Sequence, residues 1–558
     1  MQYENSKMKI SYRPEKGCLY NGIRIPDRLP QDADPNSDAE IIPPYLGKDR
    51  PAVIDITVGR QLFVDSFLLD RSELTTVYHQ PEKYAQNPVF RPETPVEKSG
   101  EWAVGTSSGG IWYDMDEKKY KMWYDILFNP MLGYAESDDG IRWERVNFRE
   151  DGTNVVMTED EKDGAVSIFI DYHAPKEERY KLFLNSFRDH EESGKLNFAP
   201  VHLAGGVDRN HYAHRLFVSA DGLHWKQKGG LSKGACGDMT TVFYDGFRNK
   251  WINSLREYAR TTYHGSSYVG RVRYYAEHDR FDDLLNWDQD DTAFWLKCDG
   301  RDATEDFHLP NGVDLLAVKP QMYNFDAIGY ESVMFGMWQI WHGPENNFCA
   351  DAGVPKITEL MASFSRDGFH YQRPDRTPFI QASRKAGDWD RGYLFNCNGG
   401  MIVHRDTIDF YYSGFSGEKE GLHTPHANQS IGMATLRRDG FASLNGRGTV
   451  LTHPLKVCKG CSYLFVNLNC PEKAFGVELL NAAGDVISGY SFEDCVWVGG
   501  NSTMQQIRWK HGKNTSFLQN QVFSIRFSMR ENGEFYSFWF SETAEGDSNG
   551  IPGAGYAP

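Results

Sequence analysis

Tyr134-Ala-Glu-Ser-Asp-Asp-Gly-Ile-Arg-Trp143 decides the fold, because its grammar returns. It recurs as Leu216-Phe-Val-Ser-Ala-Asp-Gly-Leu-His-Trp225, as Met361-Ala-Ser-Phe-Ser-Arg-Asp-Gly-Phe-His-Tyr371 and as Met433-Ala-Thr-Leu-Arg-Arg-Asp-Gly-Phe441. Each copy is an alternating strand, an Asp-Gly turn and a large apolar residue. Asp-Gly between alternating strands is a hairpin signal, since glycine accepts the positive φ of a tight turn. The interval from Gly222 to Gly368 is nearly twice the intervals on either side, which predicts a hidden copy. Tyr274-Tyr-Ala-Glu-His-Asp-Arg-Phe-Asp-Asp-Leu-Leu-Asn-Trp287 fills that place in degenerate form. Five units of roughly 60 to 85 residues indicate radial or stacked repetition.

Working outward, each unit carries the same pair of strands ahead of its Asp-Gly phrase. An apolar strand ends on an acidic turn and an aromatic strand follows. Gly110-Ile-Trp-Tyr-Asp114 precedes Tyr120-Lys-Met-Trp-Tyr-Asp125, and Thr241-Val-Phe-Tyr-Asp245 precedes Lys250-Trp-Ile-Asn-Ser-Leu-Arg256. The other pairs begin at Ser167 and Tyr180, at Ala327 and Val333, and at Met401 and Ile408. With a strand after Asp-Gly, each unit is a four-stranded antiparallel blade, and five blades make a five-bladed β-propeller. Past Leu444 the repeat stops, and short alternating strands from Tyr463 to Phe540 predict a β-sandwich. The expected fold class is all-β: an N-terminal arm with little structure of its own (1–59), a propeller (60–445), a β-sandwich (446–545) and a tail (546–558). The turn-rich segment from Gln80 to Pro95 is expected to cross the face of the array.

Composition bounds the function. A net charge of -17 argues against nucleic acid or an anionic membrane as partner. No apolar run is long enough for a transmembrane helix, and Met1-Gln-Tyr-Glu-Asn-Ser-Lys lacks a signal core, which points to a cytoplasmic location. Nine cysteines, an odd number and mostly scattered, fit a reducing compartment. Cys458-Lys-Gly-Cys461 leads straight into a strand, and Cys470 and Cys495 follow at irregular distances, so free or buried thiols are read there rather than zinc. His202, His211 and His214 with Asp208 match no strong metal-ligand spacing. No cofactor is expected.

A five-bladed propeller followed by a sandwich resembles the superfamily of glycoside hydrolase families 32, 43 and 68. Lys121-Met-Trp-Tyr124, the phrase ending at Trp143 and Gly432-Met-Ala-Thr-Leu-Arg-Arg-Asp-Gly-Phe441 are similar to sequences in family-32-like bacterial proteins. The resemblance spans roughly residues 60–545. The Trp-Met-Asn-Asp-Pro-Asn-Gly and Arg-Asp-Pro signatures of family 32 do not occur, so it carries the fold and the location of the site. It implies an oligosaccharide substrate, with a furanose or an acidic sugar as the expected product.

By analogy with such propellers, ligands bind at the channel mouth, where the first strand of each blade begins and the second ends. Asp114, Asp171, Asp245, Glu331 and Asp406 then fall in turns on the far side and are read as structural. Near the mouth, Asp163 and Asp238 are the expected base, nucleophile or charge stabiliser, and Glu257 the expected general acid, because glycoside hydrolysis needs carboxyls on both sides of the bond. Glu101, Trp102, Asp125, His211, Arg256, Arg260, Tyr323, His342 and Asn396 are the expected substrate contacts. Two other readings stay open: a carbohydrate-binding propeller without catalysis, and a glycoside phosphorylase or lyase.

Overall fold

The structure is a computed structural model that describes residues 17–25, 33–99, 103–106, 110–126, 131–158, 164–187, 212–419, 424–458 and 460–558. The chain is nearly all-β, with curled sheets. Fifteen strands carry the repeats, three to a unit. They are β1 (Gly110–Asp114), β2 (Lys119–Ile126), β3 (Met131–Ser137), β4 (Val166–Ile170), β5 (Tyr180–Phe187), β6 (Tyr212–Ser219), β7 (Thr241–Asp245), β8 (Lys250–Tyr263) and β9 (Ser266–His278). The last two units hold β10 (Gln321–Glu331), β11 (Val333–Gly343), β12 (Ile357–Ser365), β13 (Gly392–Val403), β14 (Thr407–Phe415) and β15 (Gln429–Arg437). Each triplet is an antiparallel meander.

The Asp-Gly phrase is a capped turn that docks on another unit. In three copies the same atoms recur. Asp139, Asp221 and Asp367 each accept two backbone N–H bonds of 2.8 to 2.9 Å at Oδ1, and the following glycine donates to a serine Oγ at 2.9 Å. The turn glycines have φ between +73° and +78°. Tyr411 of the fifth unit donates to Gly140 O, and Trp123 of the first donates to Gly222 O, both at 2.7 Å. One short phrase therefore sets both the hairpin and its seat on the neighbouring sheet.

Three segments outside the repeats pack into the fold. The segment from Gln80 to Pro95 does not merely cross the array, since Glu82–Lys83 pairs with β15 as its edge strand. The N-terminal arm is built in: Tyr20 and Tyr45 are buried, and Ile54–Asp55 pairs in parallel with Leu455–Lys456. Its aromatic and aliphatic side chains join the large C-terminal core, which a reading for polar composition overlooks. The Gly- and Pro-rich end is no loose tail either. Ile551–Pro552 pairs with β10, because Ile551 and Ala554 are apolar enough to be buried. The long strands Ala442–Thr452, Tyr463–Asn481 and Phe523–Ser541 belong to one nine-stranded sheet, which also takes up short strands between residues 54 and 78.

Candidate functional site

The site begins with two arginines on a long hairpin. β8 and β9 pair along their whole length, with Arg256 opposite Arg273, Tyr258 opposite Arg271 and Arg260 opposite Val269. Side chains alternate along a strand, so Arg256, Tyr258 and Arg260 share one face and Glu257 lies on the other. Arg256 donates to Asp238, in the bend before β7, and at 2.7 Å to the Tyr258 hydroxyl. Asn185 of β5 holds that bend by donating to the carbonyls of Gly237 and Asp238, at 2.9 and 2.8 Å. The Asp238 side chain is 46% exposed, which leaves it open to a ligand.

Beneath Asp238, Arg273 is wholly buried. It donates to the carbonyls of Met239, Ser254 and Tyr323 and to Asn324 Oδ1. Both Asp238 and Asp326 act on it electrostatically. Asp326, in the middle of β10, accepts from Asn396 Nδ2 at 3.0 Å and has Asn324 Nδ2 at 3.5 Å. Burial pushes its carboxyl up to about 6, against the pull of Thr241, Arg273 and Asn396. A small cavity beside it is lined also by Asn396, Cys397 and Met401.

On the outer side of β10, Tyr323 meets Lys356, the residue before β12. Lys356 Nζ donates to the Tyr323 hydroxyl at 3.1 Å and to Asn346 Oδ1 at 3.2 Å, and stands 3.6 Å above the Tyr393 ring. The Tyr323 and Tyr393 hydroxyls are 3.1 Å apart. Burial works to raise the Tyr323 phenol, yet the Lys356 ammonium holds it below its ordinary value. Burial likewise lowers Lys356. The Arg271 guanidinium lies 5.1 to 5.3 Å from the rings of Tyr258, Tyr323 and Trp341.

The expected residues thus divide. Asp238, Arg256 and Tyr323 come together, Arg260 continues their face at an exposed position, and Asn396 belongs to the Asp326 cluster. Glu257 points away, on the face shared with buried Leu255 and Ala259. Asp125 is buried at the end of β2, where it and Asp326 both act on the Cys397 thiol. His342 stands apart, between Glu305 at 3.7 Å and Glu359 at 3.5 Å. Burial lowers its imidazole despite both carboxylates. Asp163, Glu101, Trp102 and His211 lie outside the described residues. His214, one of the histidines weighed for a metal, is buried, with Trp287 Nε1 3.2 Å from its Nδ1 and Cys236 Sγ 3.5 Å from its Nε2. Among the described residues, no group of three or more His, Cys, Asp or Glu is arranged to hold a metal.

Asp326, Arg271, Lys356 and Tyr393 were not among the expected residues. Asp326 sits mid-strand in Tyr323-Asn-Phe-Asp326, where alternation reads as ordinary sheet, and Lys356 follows Val354-Pro355 in an unremarkable loop. The arginine alternation Arg256, Arg260, Arg271, Arg273 was the one available signal.

No family model matches the chain, and no curated protein matches it. Solved structures do align with it. One is an N-acetylgalactosamine deacetylase from F. plautii with blood group B trisaccharide, at 13% identity and TM-score 0.35, over 69% of this chain and 96% of that one. A thermostable family-43 glycoside hydrolase aligns at 11% identity and TM-score 0.35, over 62% and 94%. A family 117 glycoside hydrolase from the marine bacterium Zobellia galactanivorans aligns at 11% identity and TM-score 0.30, over 65% and 90%. Alignments this loose speak neither to substrate nor to residues.

Proposed function

We propose that the chain is a glycoside hydrolase: a five-bladed propeller over about residues 60–445, with a C-terminal β-sandwich, cleaving an oligosaccharide at the channel mouth. The five-blade reading is supported by a closed circuit of inner strands. β1 lies against β4, β4 against β7, β7 against β10, β10 against β13, and β13 returns to β1 through a parallel pairing at Gly110 and Asn398.

The observation that carries the function is a pair of carboxyls in contrasting surroundings around one buried guanidinium. Asp238 is open at the rim and ion-paired with Arg256; Asp326 is buried and raised to about 6. Carboxyls set apart in this way suit division between proton donor and ionised partner. In this reading Asp326 gives its proton to the departing glycosidic oxygen. Asp238 assists attack at the anomeric carbon, and Arg256 fixes its direction. Asn396 and Asn324 position the Asp326 carboxyl.

The test is sugar release from a panel of oligosaccharides by the wild type, Asp238→Asn and Asp326→Asn. Release by the wild type and its loss in both variants, with ligand binding kept, is expected. Undiminished release by both variants would sink the assignment.

A further inference from the structure

We propose that the face formed by Arg256, Arg260, Arg271 and Lys356 is a subsite for a carboxylate, so that the sugar bound beside Asp238 is a uronic acid. This rests on the reading of the mouth as a sugar site and names the substrate class.

The argument starts from charge. In a chain of net charge -17, Arg256, Arg271 and Lys356 gather around Tyr258, Tyr323 and Tyr393 with Arg260 farther along the same strand face, and Asp238 and Glu345 are the carboxylates paired with them among the described residues. Glu345 is only a distant partner, 3.5 Å from Arg271 Nη2. Lys356 has a side chain buried among tyrosines, with no carboxylate oxygen within 4.0 Å of Nζ among the described residues. A buried ammonium without a counter-ion is costly. The Tyr323 hydroxyl offsets part of that cost by accepting from the ammonium at 3.1 Å, and an arriving anion would offset more.

Hydrogen bonding points the same way. The Nε–H groups of Arg256 and Arg271 are buried and donate to nothing among the described residues. Arg260 carries no ion pair there either, and stands exposed at the outer end of the same face. Guanidinium forks match a planar carboxylate, and aromatic walls hold them by stacking. Arg271 has three such walls. Tyr258, half-buried on the same face, offers a ring that suits the apolar face of a pyranose.

The test measures binding without turnover. Galacturonate and glucuronate are titrated into the Asp238→Asn protein beside galactose and glucose, which carry a hydroxymethyl group in place of the carboxylate. The uronates are expected to bind about ten-fold tighter or more, with affinity falling as salt is raised. Lys356→Met and Arg260→Ala, made separately in that background, are each expected to remove most of the preference. Arg260 is exposed, so its variant stays informative if the Lys356 variant fails to fold. Equal affinity for uronates and neutral sugars would overturn the subsite. So would inorganic phosphate or sulfate binding more tightly than either uronate, since the face would then serve a free oxyanion. If uronates bind as expected and the wild type releases no sugar from acidic oligosaccharides, the hydrolase reading fails alone. If neutral oligosaccharides are cleaved and uronates show no preference, the subsite fails alone.

Discussion

Asn396 donates from Nδ2 to Asp326 Oδ2 at 3.0 Å, joining two adjoining inner strands through one buried acid. Burial raises that acid to about 6, so its proton is held below this value and lost as pH rises through it. If Asp326 is the donor, the rate of sugar release at low substrate should fall above about pH 6, by about ten-fold per unit. Asp326→Asn should abolish this alkaline limb together with the activity. A pH profile of kcat/KM checks it, and a flat profile from pH 6 to 9 would exclude the role.

The same carboxyl acts on stability with a definite sign. Asp326, and Asp245 at the end of β7, are both raised to about 6 by burial from an ordinary 3.8. The folded chain therefore holds protons that the unfolded chain has released. This contribution is complete below about 3.8 and lost as pH rises through about 6. Asp326→Asn should thus stabilise the protein at pH 8 relative to wild type, by about 1 to 3 kcal/mol. It should also flatten the decline between pH 4 and 6. Urea midpoints at pH 4.5 and pH 8 give both numbers.

Much of this architecture is legible in the sequence for one reason: the Asp-Gly turn demands a particular residue at a particular φ. Gly140, Gly222 and Gly368 each need positive φ and face a neighbouring side chain. The phrase cannot drift, so its spacing survives as a register. The site is less legible. Arg256 and Glu257 look equally suitable in sequence, and only the register of β8 on β9 shows that Arg256 shares a face with Tyr258 and Arg271. Lys356 gains its meaning from Tyr323 and Tyr393, which come from different units. Contacts of that kind leave no local pattern. The packing of the arm and the last residues is hard to read for a related reason: a few apolar side chains, such as Tyr20, Tyr45 and Ile551, anchor stretches that are polar on average.

Glu257 supplies a control for the site. Its side chain leaves β8 on the face opposite Arg256 and Tyr258, so Glu257→Gln should keep sugar release within about two-fold of wild type, while Asp238→Asn loses it. Rates on one substrate at one pH compare the two directly. Loss of activity in Glu257→Gln with an unchanged melting temperature would return Glu257 to the catalytic set.

Glu331 makes the complementary case of a buried acid that matters for folding. It accepts from Arg438 Nη2 and Ser548 Oγ at 2.7 Å and from the Arg60 amide at 3.0 Å. Arg60 in turn donates to Asp439 at 3.0 Å and stacks 3.9 Å over Trp539. All three charged partners are buried, so Glu331→Gln leaves two guanidiniums sharing Asp439. A loss of about 3 to 5 kcal/mol is expected in urea unfolding, with uronate binding unchanged in the folded fraction.

The turn glycines can be ranked against one another. A Cβ on Gly222 would lie 2.5 Å from Trp123 Cζ2, whose indole also donates to Gly222 O at 2.7 Å. Gly152 has nearly the same φ, +75° against +78°, and a Cβ there meets nothing within 4 Å. Gly152→Ala therefore measures the cost of left-handed backbone alone, about 1 to 2 kcal/mol. Gly222→Ala adds displacement of a fully buried tryptophan, which raises the expected loss to about 3 kcal/mol or more. Thermal unfolding of the two variants side by side isolates the docking term. Equal losses would mean that the turn is held by its own hydrogen bonds and that Trp123 contributes nothing to seating it.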